Sequence, residues 1–294
     1  MKFLDPKNDL VFKRIFGEHP RLLISFLNSV LPLTPEETIK EIEYIPTEQV
    51  PEIPVLKDTI VDVKCTDKNG NIFIVEMQFI WTEAYMNRIL FNSCKAYVRQ
   101  LEKGQEYKYL QPVYGLSILN DTFNKDEDRF YHHYKIVNVE ETNEILKGLQ
   151  FVFIELPKFK PDSIKEKKLM VLWLRFLKEI DEKTEQIPEG LSDEPLIKEA
   201  IELSRTAAFN KAELDVYDRF WDIVSTQRTL ASGFYSKGLQ QGIQQGMQIG
   251  VKEAQIETAK KCVKEGLTDD LISKLCGLTI PEVKKIREEM GNNH

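Results

Sequence analysis

Three catalytic signatures are missing from this chain of 294 residues: G-x-x-x-x-G-K, G-x-S-x-G and H-E-x-x-H do not occur. The simplest forms of nucleotide hydrolase, serine hydrolase and zinc protease are thereby removed. Cysteine is sparse as well. Its four residues stand singly at 65, 94, 262 and 276, with neither the paired spacing of a zinc site nor the density of a disulfide scaffold. They read as reduced and structural. No apolar run approaches the roughly 18 residues a membrane helix needs, and the opening MKFLDPKNDLVFKRIF is charged too early for a secretory signal. A cytoplasmic location is the expectation. Positive charge is not in excess either. A net charge of −7 argues against a protein that coats nucleic acid by bulk attraction, while leaving room for a local basic cleft.

What is present is the composition of an ordinary folded protein, 42% hydrophobic and 30% charged. The length suggests one compact domain with a smaller helical appendage. From Asp9 to Leu31 apolar residues recur at helical spacings, broken around Gly17 to Pro20, which predicts two short helices. IKEIEYI follows, then a proline-bounded loop from Pro51 to Pro54, then two alternating runs around DKNG that predict a β-hairpin. An amphipathic helix from about Thr82 to Lys103 should pack on that hairpin. PVYGLSIL, FYHHYKIVNV and LQFVFIEL then complete a mixed sheet ending near Pro157. Beyond residue 160 the chain reads as helices, at about Ser163 to Ile180, Glu194 to Asn210 and from Glu213 onward. The expected organisation is α/β: a flanked mixed sheet over 1–160, a helical extension over 161–235, and an all-α tail over 236–294.

The hairpin's register follows from its loop. A two-residue turn at Asn69 and Gly70 would oppose Asp62 to Met77 and set charged residues against apolar ones on both faces. A three-residue loop of Lys68, Asn69 and Gly70, with Gly70 left-handed in a G1 bulge, instead opposes Val63 to Val75 and Cys65 to Phe73. One face is then apolar, and Asp62, Lys64, Glu76 and Gln78 gather on the other. That register is the prediction. It sets Asp62 opposite Glu76 with β-carbons about 5 Å apart, where uncompensated like charges are unfavourable. A hard divalent cation, Mg²⁺ or Mn²⁺, would offset them, with the backbone carbonyl of Met77 as a further ligand. The competing reading is a solvated face of an edge hairpin whose charges Lys64 offsets, and the spacing alone does not separate the two.

Several segments in order carry a resemblance: DPKNDLVFKRIFG at 5–17, ISFLNSVL at 24–31, and KDTIVDV at 57–63. NIFIVEMQ at 71–78, NRILFNSCKAYVRQLEKGQEYKYLQPVYGLSIL at 87–119 and FIELPKF at 153–159 continue it. Over roughly its first half the chain resembles the Rpn family of recombination-promoting nucleases and transposases in the PD-(D/E)XK superfamily. The resemblance implies a restriction-endonuclease-like fold and magnesium-dependent cleavage of double-stranded DNA, in recombination or in defence against mobile DNA. It places the acidic pair on Asp62 and Glu76, with Gln78 where the superfamily's lysine usually stands. Asp58 is an alternative first acid with no opposing carboxylate. A neutral amide orients water but supplies no charge, so the cation for the transition state falls to Lys13, Lys64 or Arg88. The bland role for each is surface charge or a phosphate contact, and Asp9 on the same helix face as Lys13 reads as its ion-pair partner.

His132 and His133 alternate across one strand and are not read as a ligand pair. Gly238, Gly242, Gly246 and Gly250 recur every fourth residue. That pattern is either a linker or a close-packed helix pair, which would make a homodimer through the C-terminal helices. DDLISKLCG and PEVKKIREEM have helix-turn-helix spacing, with Lys284, Lys285 and Arg287 on the second helix, but flanking acids favour a structural or protein contact. The rival to a nuclease is a catalytically idle scaffold acting through this tail. A strand-joining transposase is the third reading, without an identifiable domain for transposon ends.

Overall fold

The computed structural model describes residues 2–46, 48–49, 59–60, 62–161 and 168–291. Asp58, Val61, the loop from Pro51 to Pro54 and the helix start at Ser163 lie outside the described residues. The chain divides into two compact units, Met1–Val224 and Ser225–His294.

The first unit opens with α1 (Asp9–Phe12), where Asn8 caps the helix by accepting the Leu10 N–H at 3.0 Å. The next turn widens to a π-turn over Lys13–Gly17, and α2 (Pro20–Val30) starts on a proline at its first position. The break expected around Gly17 to Pro20 is therefore real. Strands β1 (Ile42–Tyr44), β2 (Glu48–Gln49), β3 (Thr59–Ile60), β4 (Val63–Asp67) and β5 (Ile72–Gln78) follow, then α3 (Glu83–Val98), β6 (Val113–Leu119), β7 (Tyr131–Val137) and β8 (Ile145–Glu155). The main sheet has the order β1-β4-β5-β6-β8-β7, while β2 and β3 form a separate ladder. Its middle pairs, β5 with β6 and β6 with β8, are parallel, and the outer ones are antiparallel.

The hairpin takes the three-residue loop. Val63 pairs with Val75, Lys64 with Ile74 and Cys65 with Phe73, and Gly70 has φ +85°. Asp67 fixes the turn by accepting the Asn69 and Asn71 N–H groups, both at 2.9 Å. Val63, Cys65, Phe73 and Val75 enter the main core, whereas Ile72 and Ile74 on the other face pack under α3 with Tyr85, Ile89 and Ala96. The solvated edge hairpin is thus overturned, because β4 is covered by β1 and β5 is internal. A strand buried on both faces can carry a charge only where a partner compensates it.

The helices after residue 160 are α4 (Lys168–Glu179) and α5 (Pro195–Leu203), followed by a 3-10 turn over Thr206–Ala208. The predicted helix to Asn210 therefore stops early. Trp173 of α4 lies 5.4 Å from Phe16 and 5.8 Å from Phe26, ring to ring. Ile197, Ala200 and Ile201 of α5 share that core. The helices expected as a separate extension complete the core of the sheet domain, which runs to Val224, because the apolar face of α1 and α2 needs α4 to exclude water.

The last helices are α6 (Lys211–Lys264), α7 (Asp269–Cys276) and α8 (Ile280–Gly291). Gly238, Gly242, Gly246 and Gly250 all lie within α6, so the linker reading fails. In the second unit Ala259, Ile272, Cys276, Leu278, Val283 and Ile286 form a small core. Gly277 turns the chain between α7 and α8 at φ +68°. Among the described residues no helix is long and apolar enough to cross a membrane.

Candidate active site

Four elements bring polar side chains to one end of the sheet. Asp62 stands at a bend one residue before β4, beyond the last ladder pair of Val63 with Val75, so the predicted cross-strand pairing of Asp62 with Glu76 is not part of the ladder. Its carboxylate accepts the Met77 N–H at 2.5 Å, which ties it across to β5. The Met77 carbonyl shares that strand edge, since N–H and C=O of one residue point the same way in a strand, and the Gln78 carbonyl faces β6 by accepting from Asn120 N–H.

Glu76 is 4% exposed. The crossover from β5 to β6 lays α3 over it, and α3 meets its carboxylate with two side chains four residues apart. Asn92 donates to Oε1 at 3.1 Å, and Arg88 donates to Oε2 at 3.3 Å. Arg88 also donates to Gln78 Oε1 at 2.9 Å and lies over the Tyr85 ring at 4.8 Å. Gln78 donates in turn to the Ile80 carbonyl at 2.8 Å. Beneath them the buried Tyr85 hydroxyl donates to Ser117 Oγ at 2.9 Å, and Ser117 is the β6 partner of Glu76.

Burial dominates the electrostatics. It pushes the Glu76 carboxyl above its usual range, against the pull of Arg88 and Asn92. Burial also pushes Asp62 up to about 7, opposed by the Met77 N–H and the Lys13 charge and reinforced by the charges of Asp9 and Glu76. Asp9, Glu76 and Lys13 thus all act on Asp62. Lys13 is ion-paired to Asp9 at 2.9 Å, as the i,i+4 spacing predicted.

A groove of about 290 Å³ passes over Asp62, lined by Lys13, Glu18, Tyr44, Val63 and Lys64 among others. The three candidate cations take different places around it. Arg88 touches Glu76, Lys13 lines the groove with Asp62 while paired to Asp9, and Lys64 is half-buried with the charges of Arg99 and Lys95 acting on it. Sharing a strand face with Glu76 did not make Lys64 its partner, because α3 supplies the nearer cation. The sequence reading missed Asn92, Tyr85 and the action of Asp9 on Asp62. The signal for Asn92 was its position four residues after Arg88. His132 is buried with Nε2 2.8 Å from Glu155 Oε1, while His133 meets Gln150.

A family model described as PD-(D/E)XK nuclease family transposase matches residues 6–224, ending where the first compact unit ends. No curated protein and no solved structure matches the chain.

Proposed function

From the premise that this chain belongs to the PD-(D/E)XK nuclease family transposases and has their restriction-endonuclease-like fold, we propose that it is a divalent-metal-dependent endonuclease hydrolysing phosphodiester bonds of double-stranded DNA. The observation that carries this reading is a buried Glu76, fixed by Asn92 and Arg88, beside an Asp62 whose carboxyl feels the Glu76 charge. Two carboxylates close enough to act on each other, one of them buried, are costly unless a cation shares them.

The donors fit a hard ion. Asp62, Glu76 and the Met77 carbonyl offer oxygen only, the set that Mg²⁺ or Mn²⁺ takes. Among the described residues no trio of His, Cys, Asp or Glu encloses a metal, so water and phosphate oxygens would complete the shell, as Mg²⁺ prefers. When bound, such an ion lowers the pKa of water and neutralises charge on the phosphate.

The chain's own side chains supply the rest. Asn92 and Arg88 set the orientation of Glu76, and the Met77 N–H does the same for Asp62. Gln78, its amide held by Arg88 and Ile80, positions water without supplying charge. Lys13 and Arg88 are the cations nearest the carboxylates and take the role of the superfamily's lysine toward the developing phosphate charge.

One observation favours an idle scaffold instead: Arg88 already neutralises Glu76 as an internal ion pair. Nicking of supercoiled plasmid separates the two. The nuclease nicks with Mg²⁺, and EDTA or Glu76→Ala abolishes the activity; nicking that persists equally in all three would be contamination, and none in any would leave the scaffold.

A further inference from the structure

At the edge of the main sheet β7 and β8 project as an arm. β8 pairs with β6 only from Leu149 onward, so its residues before that point have β7 on one side and no described strand on the other. A bulge between Lys135 and Ile136 marks the root of the arm. Ile136 then pairs with Leu146 and Val137 with Ile145, and the Asn138 N–H donates to the Glu144 carbonyl at 3.0 Å before the chain turns. A two-stranded ribbon is marginal in water by itself, and this one carries exposed apolar side chains. Ile136 and Ile145 are exposed, Leu146 is 67% exposed and Val139 89%. β7 is also the last strand of the sheet, and no described strand pairs with its outer edge. Phe130 before the bulge and Asn138 after it bond to β8, so by the alternation of an antiparallel ladder His133, Lys135 and Val137 turn their backbone N–H and C=O groups outward. Such an edge is a template for another strand.

We infer that this arm is an interface between two copies of the chain, β7 edge to β7 edge and antiparallel across a two-fold axis. The acids at the turn, Glu140, Glu141 and Glu144, repel phosphate and set nucleic acid aside as the occupant. A protein partner has to meet both those acids and Lys135 at the root, and the arm itself meets that requirement. With the axis beside Asn138, Val137 of each strand comes against Val139 of the other, and Lys135 against Glu141. Lys135 and Glu141 are both exposed, and neither has an ion-pair partner among the described residues. A lysine on an edge strand ordinarily guards it against pairing; here the acid that neutralises it belongs to the same arm and comes within reach only in a second copy. Two ribbons side by side also exceed the roughly three strands that independent stability requires.

Sedimentation of the full chain over a concentration series tests the interface, with wild type, Lys135→Glu, Glu141→Lys and an equimolar mixture of the two variants. Wild type should associate to a dimer. Each reversal sets like charges together on both sides of the axis and should raise the dimer dissociation constant by about tenfold or more. In the mixture every such contact is again between opposite charges, so dimers should return at the wild-type concentration. Circular dichroism should be the same for all, since both side chains are exposed. A wild type that stays monomeric throughout overturns the interface and leaves the arm to a different protein. Dimers that neither reversal weakens overturn it too, by placing the second copy elsewhere on the chain. Weakening in both variants that mixing does not reverse overturns the antiparallel arrangement.

Discussion

Asn92 donates its side-chain amide to Glu76 Oε1 at 3.1 Å, from the middle of the helix that crosses the central strand. Its side-chain oxygen, Oδ1, is buried with no hydrogen-bond partner among the described residues. An amide that leaves its acceptor unsatisfied to serve a carboxylate is tolerated because the bond to a charged group is the stronger one. Asn92→Ala removes that bond from a buried acid. The expected loss is about 1–3 kcal/mol of stability, read by urea unfolding, together with slower plasmid nicking.

Asp62 gives the site its pH dependence. With its carboxyl at about 7 in the folded chain and near 4 when unfolded, the folded state binds the proton more tightly. Its contribution to stability in the absence of metal is therefore full below pH 4 and is lost as pH rises toward 7. A divalent ion needs the ionised form, so its stabilisation should show the opposite trend. The rise in Tm on adding Mg²⁺ should be larger at pH 8 than at pH 6, and nicking should fall as pH drops below about 7. The difference between wild type and Asp62→Asn isolates this group, and an equal Mg²⁺ response at both pH values in wild type would contradict it.

Arg88 is ion-paired to Glu76 at 3.3 Å, so on the nuclease reading it would compete with a divalent ion for that carboxylate. Replacing it by methionine keeps the packing on Tyr85 and removes the charge, which should tighten Mn²⁺ binding in calorimetry while slowing cleavage. Tighter binding with unchanged cleavage would restrict Arg88 to neutralising Glu76 and leave Lys13 as the cation that faces the phosphate.

Gly238, Gly242, Gly246 and Gly250 sit inside α6, where a β-carbon would meet nothing within 4 Å. Gly242→Ala and Gly246→Ala should each favour the helix by about 1 kcal/mol, visible as greater helicity by circular dichroism and a higher melting temperature. A fall in helicity or a change in oligomeric state would instead place a second copy against this row.

Periodicity and turn chemistry fixed what lies close in sequence. The break at Gly17 to Pro20, the G1 turn at Gly70 and the register that opposes Val63 to Val75 all follow from local rules, since a one-residue slip would invert every side chain in the hairpin. The same register brought Asp62, one residue before β4, and Glu76 of β5 into view as candidates. What α3 does there was not legible, because an amphipathic helix announces its apolar face and not which of its polar residues will meet a buried acid. The same holds for the helices after residue 160, whose partner is the distant Phe16 and Phe26 cluster, and for the charge of Asp9 on Asp62. Local sequence determined the strands of the hairpin, the turn and their register. Only tertiary packing decided that Glu76 is buried while Asp62 lines a groove, and that Arg88 and Asn92 hold Glu76, because burial and charge act through space between segments the chain order keeps apart.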